Sequence, residues 1–284
     1  MDAQETKPSI KLAVQQALAE DIGSGDVSAQ LCDNNILSAQ VICRETATLC
    51  GQAWFDETFA QLDQSIKVEW LKQEGALVHP SQTVCNLHGN GAALLSGERT
   101  ALNFLQTLSG TATATRKLMH RMRGSSTLLL DTRKTIPGLR EAQKYAVKCG
   151  GGSNHRMGLY DAYLIKENHI TACGSIQAAV ARAKQREDGL LIEVEVEDLD
   201  QLSQAISSQA DIALLDNFSV DEVKQAMALA RSDTHSRIKL EVSGNIHMEN
   251  ISQYAMCDVD YISVGAITKH LQAVDFSMRF NEPV

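Results

Sequence analysis

The chain has 284 residues, 44% hydrophobic and 21% charged, with a formal net charge of −9, a make-up that suits a soluble globular protein of one large or two modest domains. The acidic balance argues against a nucleic-acid partner, and no apolar run approaches the ~20 residues that cross a bilayer. The polar opening MDAQETKPS has no secretory or transit pattern, so a cytoplasmic location is expected.

Seven cysteines (Cys32, Cys43, Cys50, Cys85, Cys149, Cys173 and Cys257) are scattered and form no C-x-x-C pair. That spacing indicates neither a zinc site nor a disulfide framework, and free thiols in a reducing compartment are expected. In chain order, Pro8 opens a helix over 9–22, with Ile10, Ala13, Val14, Ala17 and Leu18 at helical spacing. An extended stretch follows over 36–49, then a helix over 52–62 and short strands over 66–71 and 83–87. A long helical tract runs from Ala92 to about Arg123, with an expected break near Ser109–Gly110 and a domain boundary within 109–115.

Beyond Arg123 the rhythm changes. Apolar runs at 127–131, 162–166, 191–196, 212–216, 238–243 and 261–265 alternate with helical patterns at 139–148, 175–186, 199–207, 220–231 and 248–256. Buried strands alternating with helices predict a parallel sheet, and this number of units in a short span favours an open, incomplete α/β barrel. An open doubly wound sheet stays possible, because periodicity does not reveal strand order. No G-x-G-x-x-G follows a strand and no Walker-type loop occurs.

Each predicted strand ends in polar or glycine-containing sequence. Successively these are 131–134 (Asp131, Thr132, Arg133, Lys134), Lys166, Glu193 with Glu195, Asp216, then Ser243-Gly244-Asn245 after Glu241, and Val264-Gly265-Ala266. In a parallel barrel such ends share one rim. From 116 to 169 there are 11 Lys/Arg against 4 Asp/Glu, a local +7 that predicts a trap for a small polyanion.

Arg133, Lys134, His155, Arg156 and Lys166 supply the cations: arginine grips planar oxyanions in bidentate fashion, and lysine acts as a point charge. His155 could instead cap a helix, and either glycine turn alone would suit an ordinary loop. Glu195 and Asp216 could pair with the cations or hold Mg²⁺ through oxygen ligands. The two glycine loops together favour a phosphate. Arg99 reads by pattern as a surface residue near a helix start.

Several long motifs resemble one family. SGERTALNFL at 96–105, LSGTAT at 108–113, DTRKTIP at 131–137, QKYAV at 143–147, GGSNHR at 151–156 and LIKENH at 164–169 are all similar to quinolinate phosphoribosyltransferase. So are EDIGSGD at 20–26, EVE at 193–195, LLDNF at 214–218 and SVGA at 263–266, so the resemblance spans nearly the whole chain. The resemblance implies an α/β protein: an N-terminal α/β sandwich over 1–112, an open α/β barrel over 113–266, and a tail over 267–284 returning to the first domain.

It further implies that phosphoribosyl passes from phosphoribosyl diphosphate to quinolinate with loss of CO₂, giving nicotinate mononucleotide and diphosphate. By the same likeness, Lys134, Lys166, Glu195 and Asp216 carry the chemistry, with Glu195 and Asp216 on ribose hydroxyls and Mg²⁺. Arg99, Thr132, Arg133, His155 and Arg156 join them in binding substrate, and 243–245 and 264–266 cradle the 5′-phosphate. Arg99 would reach the site of a partner subunit in a homodimer or higher homo-oligomer. Family members often have Ser-Gly-Gly where this chain has Ser243-Gly244-Asn245. Two rival functions are a Schiff-base aldolase using Lys166 and a non-catalytic relative that binds a nucleotide or a molybdate-related ligand as a regulator.

Overall fold

The computed structural model describes residues 7–31, 35–232 and 237–280; the extreme N-terminus, Cys32 and the last four residues of the tail lie outside them. Two compact units emerge: Met1–Arg116 with Thr135–Gly151 and Ile267–Val284, and Lys117–Lys134 with Gly152–Ala266. The division does not follow one cut in the chain: 135–151 groups with the first unit, whereas the sequence places it inside the barrel.

In the first unit, α1 (Lys7–Ile22) precedes β1 (Ile36–Cys43), β2 (Ala47–Thr48), α2 (Gln52–Leu62), β3 (Lys67–Trp70), β4 (Leu77–Val78) and β5 (Thr83–Asn90). The helix α3 (Gly91–Arg121) follows, and its residues from Lys117 onward group with the second unit. β1 pairs antiparallel with β5, and β5 with β3. Alternation along β5 sends Cys85 and Leu87 to one face, and with Val84 they belong to a core that includes Val41, Phe55, Phe59, Leu102 and Leu105.

The expected break in α3 does not occur. Gly110 sits inside a continuous helix, because a Cβ there would meet the Gln272 backbone oxygen at 2.3 Å. Its missing side chain admits a close backbone approach rather than ending the helix. Arg99 accordingly lies within α3 and not at its start.

The second unit runs β6 (Leu128–Leu130), then, past α4 (Arg140–Cys149) of the first unit, β7 (Tyr163–Ile165), α5 (Glu167–Cys173), α6 (Ile176–Lys184), β8 (Ile192–Val196), α7 (Leu199–Ser207), β9 (Ile212–Asp216), α8 (Val220–Ser232), β10 (Lys239–Ser243), α9 (Ile251–Ala255) and β11 (Tyr261–Ser263). Local capping fixes several starts: Ser175 accepts the Ala178 N–H before α6, and Asp198 accepts the Gln201 N–H before α7. The six strands form one parallel sheet in the order β6-β11-β10-β9-β8-β7. Ala213, Leu214 and Leu215 of β9 are all buried, as expected where both faces of a parallel strand are covered. The chain ends with α10 (Ala266–Lys269) and β12 (Phe276–Phe280), and β12 pairs antiparallel with β1, adding an edge strand that the sequence did not reveal.

Candidate active site

Because every pair in the six-stranded sheet is parallel, all six strands end at the same edge. There the chain places Asp131–Lys134 after β6, Val264–Ala266 after β11, Ser243–Asn245 at β10, Asp216 at β9, Glu195 on β8 and Lys166 after β7. The edge carries two kinds of anion-binding structure, one made of side chains and one of backbone.

The side-chain part starts from Asp131, fully buried just after β6. Ser153 bridges to β6 through its N–H to the Leu129 carbonyl, 2.8 Å, and its carbonyl accepts the Asp131 N–H, 3.2 Å. That contact lays residues 153–156 alongside β6. The Asp131 carboxylate then accepts the His155 N–H at 3.0 Å and the Asn154 Nδ2 at 2.5 Å. A buried carboxylate thus fixes the backbone that carries His155 and Arg156 beside the one that carries Thr132 and Arg133. Asp161 closes the following turn, accepting the Met157 and Gly158 N–H groups.

The His155 ring is engaged on both nitrogens. Its Nδ1 accepts the Arg156 N–H at 2.8 Å, which leaves the proton on Nε2, 3.0 Å from Glu193 and 3.6 Å from Glu241. Glu193 and Glu241 are buried. Burial, and then the neighbouring Glu193 charge, push the Glu241 carboxyl up to about 8, so it holds a proton at neutral pH. The arrangement thereby avoids two ionised carboxylates side by side.

Arg156 donates through one terminal nitrogen to the Ala162 carbonyl at 3.0 Å, while its Nε is buried with no hydrogen-bond partner among the described residues. Burial first, and then the nearby Arg133 charge, hold its guanidinium below the usual arginine range. Two guanidiniums close enough to repel, partly out of water, are a receptor for an anion with more than one oxyanionic group.

On the other arm, the Lys166 ammonium pairs with Glu195, and Asp216 accepts from Asn217 Nδ2 at 2.9 Å. Glu195 and Asp216 offer hard oxygen donors on adjacent strands, a donor set that suits Mg²⁺.

The backbone part lies between these arms. Gly244 has φ +89°, and a Cβ there would come within 2.2 Å of Asn217 Oδ1. Asn245 also adopts a left-handed conformation, φ +51°, which asparagine tolerates better than most residues, and its Nδ2 donates to the same Asn217 oxygen at 3.1 Å. At Gly265 a Cβ would sit 3.0 Å from Lys134 Cδ and 3.2 Å from Thr132 Oγ1, so this glycine lets the loop after β11 approach the loop after β6. Lys134 is exposed at that junction, and its N–H donates to Thr132 Oγ1.

The structure brings together all but one of the residues singled out from sequence: Arg99 is exposed on α3 in the first unit. The basic island divides as well. Arg116, Arg140, Lys144 and Lys148 group with the first unit, where Lys144 is fully buried and Arg116 binds the Gly75 carbonyl at 2.9 Å. Burial of Lys144 and the Arg116–Gly75 contact tie those two charges to the first unit's own packing. The sequence marked Asp131 as a polar strand end but gave it no role, and the supporting parts played by Asn154, Asp161 and Asn217 had no signal in the local pattern.

A parallel α/β sheet with cations, acids and two glycine cradles at its carboxyl edge defines an enzyme acting on a phosphorylated, multiply anionic small molecule. Family models for the N-terminal and C-terminal domains of quinolinate phosphoribosyl transferase match residues 26–109 and 111–279, and the chain belongs to that family. A Bacillus subtilis protein named "probable nicotinate-nucleotide pyrophosphorylase (carboxylating)" is 40% identical over 95% of this chain and 92% of its own. The Mycobacterium leprae nicotinate-nucleotide pyrophosphorylase (carboxylating) is 35% identical, covering 93% of this chain and 95% of its own. The solved structure of the Francisella tularensis nicotinate-nucleotide pyrophosphorylase is 49% identical and superimposes with a TM-score of 0.93 over 96% of both chains.

Proposed function

We infer that this chain transfers phosphoribosyl from phosphoribosyl diphosphate to the ring nitrogen of quinolinate and releases diphosphate and CO₂, forming nicotinate mononucleotide for de novo NAD synthesis. The observation that carries this reading is the Arg133–Arg156 pair beside two glycine cradles. Quinolinate has two adjacent carboxylates, and two crowded guanidiniums match them; the sugar's 5′-phosphate would lie against the glycine-containing loops at Ser243–Asn245 and Val264–Ala266.

Thr132 and Lys134 sit where the loops after β6 and β11 meet, so Lys134 meets the diphosphate as it leaves. Lys166, paired to Glu195, adds a second cation. Glu195 and Asp216 bind ribose hydroxyls and offset positive charge as the ribosyl carbon loses its leaving group. The same two carboxylates would hold Mg²⁺, which neutralises charge on the diphosphate. His155 has both ring nitrogens engaged, so it positions Arg156 and offers the ligand its ring face. After ribosylation the electron-poor ring sheds its 2-carboxylate, and no side-chain nucleophile is needed. Orientation of two polyanions supplies much of the rate.

Arg99 is assigned to the quinolinate pocket of a partner subunit in a homodimer. Mixed dimers of Arg99→Ala and Lys166→Ala subunits should regain part of the turnover that each variant lacks alone; proven mixed dimers with no recovery would contradict a shared site. The absence of a Lys166 nucleophile is tested separately. Borohydride added during turnover should leave Lys166 unmodified, and a reduced substrate adduct on it would move the chain to Schiff-base chemistry.

A further inference from the structure

A second polar cluster lies in the first unit and includes none of the residues assigned a role above. Cys50 precedes α2, Cys149 ends α4, and Glu74 lies in the turn before β4; their ligand-capable atoms all fall within 4.8 Å of one another. Cys50 is fully buried, whereas Cys149 is only partly so. The two sulfur atoms therefore lie within 4.8 Å of each other, and Tyr145 stands one turn earlier on α4. These cysteines are distant in sequence and form no C-x-x-C pair, which is why spacing alone gave no hint of them.

We propose that Cys149 and Cys50 form a peroxide-responsive dithiol, in which accessible Cys149 is oxidised first and buried Cys50 resolves it to a disulfide. The roles follow from placement. Cys149 is the more accessible of the two, and the adjacent Cys50 thiol lowers it below the ordinary value, which favours the reactive thiolate. Burial pushes the Cys50 thiol well up, so it stays protonated and shielded until its partner changes. Glu74 borders Cys50 and is the nearest proton acceptor; burial raises its carboxyl too.

In the first step the Cys149 thiolate attacks one peroxide oxygen and the O–O bond breaks. The departing hydroxide takes up the proton lost from Cys149 and leaves as water, and Cys149 becomes a sulfenic acid. In the second step Cys50 gives its proton to Glu74 and its sulfur attacks the Cys149 sulfur. The S–O bond breaks, and the hydroxide leaves as a second water with the Glu74 proton. Two thiols are oxidised to one disulfide while one peroxide is reduced to two waters.

The same atoms favour this chemistry over metal binding. The Glu74 carboxylate already accepts the Gly51 N–H at 2.7 Å and the Gln52 N–H at 3.2 Å, where it caps the start of α2. Holding a thiophilic metal would ionise Cys50 as well as Cys149 beside that carboxylate, where burial already pushes the Cys50 thiol up.

The test is peroxide treatment of the full-length chain, followed by alkylation and non-reducing peptide mapping. The expected product is a Cys50–Cys149 cross-link that a dithiol reductant removes. In Cys50→Ser, dimedone should label Cys149; in Cys149→Ser the cross-link should be lost and Cys50 should stay unlabelled. Oxidation of Cys173 and Cys257 with Cys50 and Cys149 still free would overturn the proposal. So would stoichiometric Zn²⁺ retained by the untreated chain and lost in either serine variant. The readouts are chemical, so the outcome is independent of the proposed activity.

Discussion

The two halves of the strand-end site are built differently, and the proposed function gives each its own way of holding an anion. On the β6 side, binding depends on charged side chains, and these depend on a buried carboxylate: Asp131 fixes the backbone of His155 and Arg156. At β10 and β11 the loops pass through Gly244 and Gly265, where a Cβ would meet Asn217 or Lys134. The first kind can distinguish a dicarboxylate from a monocarboxylate, because its charges have fixed spacing. The second, on the proposed function, would hold the terminal phosphate of the sugar, which calls for close backbone approach more than for side-chain identity. One half is therefore suited to selecting the substrate and the other to gripping it.

The sharpest way to break this contrast is Arg156→Ala. It should lower kcat/KM for quinolinate by about 10²–10³, the usual effect of losing one preorganised charge donor, with little change in folding. A loss under tenfold in steady-state kinetics would mean the guanidinium pair is not the selector. Gly244→Ala probes the other half. The strained φ and the clash with Asn217 should cost roughly 1–3 kcal/mol, and KM for phosphoribosyl diphosphate should rise about tenfold while discrimination between acids is retained. A change in that discrimination would merge the two halves.

The smallest effect concerns the support beneath His155. Glu241 stands at about 8 in the folded chain against an ordinary 4.5, so the folded state holds the extra proton between those values. Stability then falls as pH rises through that window, and the cost is fully present above about pH 8. Glu241→Gln removes the ionising group, so its stability relative to the native chain should improve from about pH 5 to about pH 9 in urea unfolding. A difference independent of pH would show that Glu241 does not titrate there.

Much of this was legible in the sequence. The strand at 212–216 and the helices at 52–62 and 199–207 appear at the expected boundaries, because local periodicity and capping determine them. The strand ends also named most of the cations and acids correctly as neighbours, since a parallel sheet collects them at one edge. What stayed hidden depends on contacts between distant residues. Asp131 gains its importance from His155 and Asn154, and Cys50 from Cys149, partners that no local pattern announces. Gly110 misled as a helix breaker because its reason is the Gln272 backbone packed against it. β12 was overlooked because its partner, β1, lies near the other end of the chain.

The central claim is that the paired arginines serve a dicarboxylate whose ring then loses CO₂. The direct measurement supplies purified chain with phosphoribosyl diphosphate and Mg²⁺, offers quinolinate or nicotinate, and follows CO₂ and diphosphate together. The account predicts equal amounts of CO₂ and diphosphate from quinolinate and little turnover of nicotinate. Efficient nicotinate turnover without CO₂ would contradict it and assign the site to a different transferase.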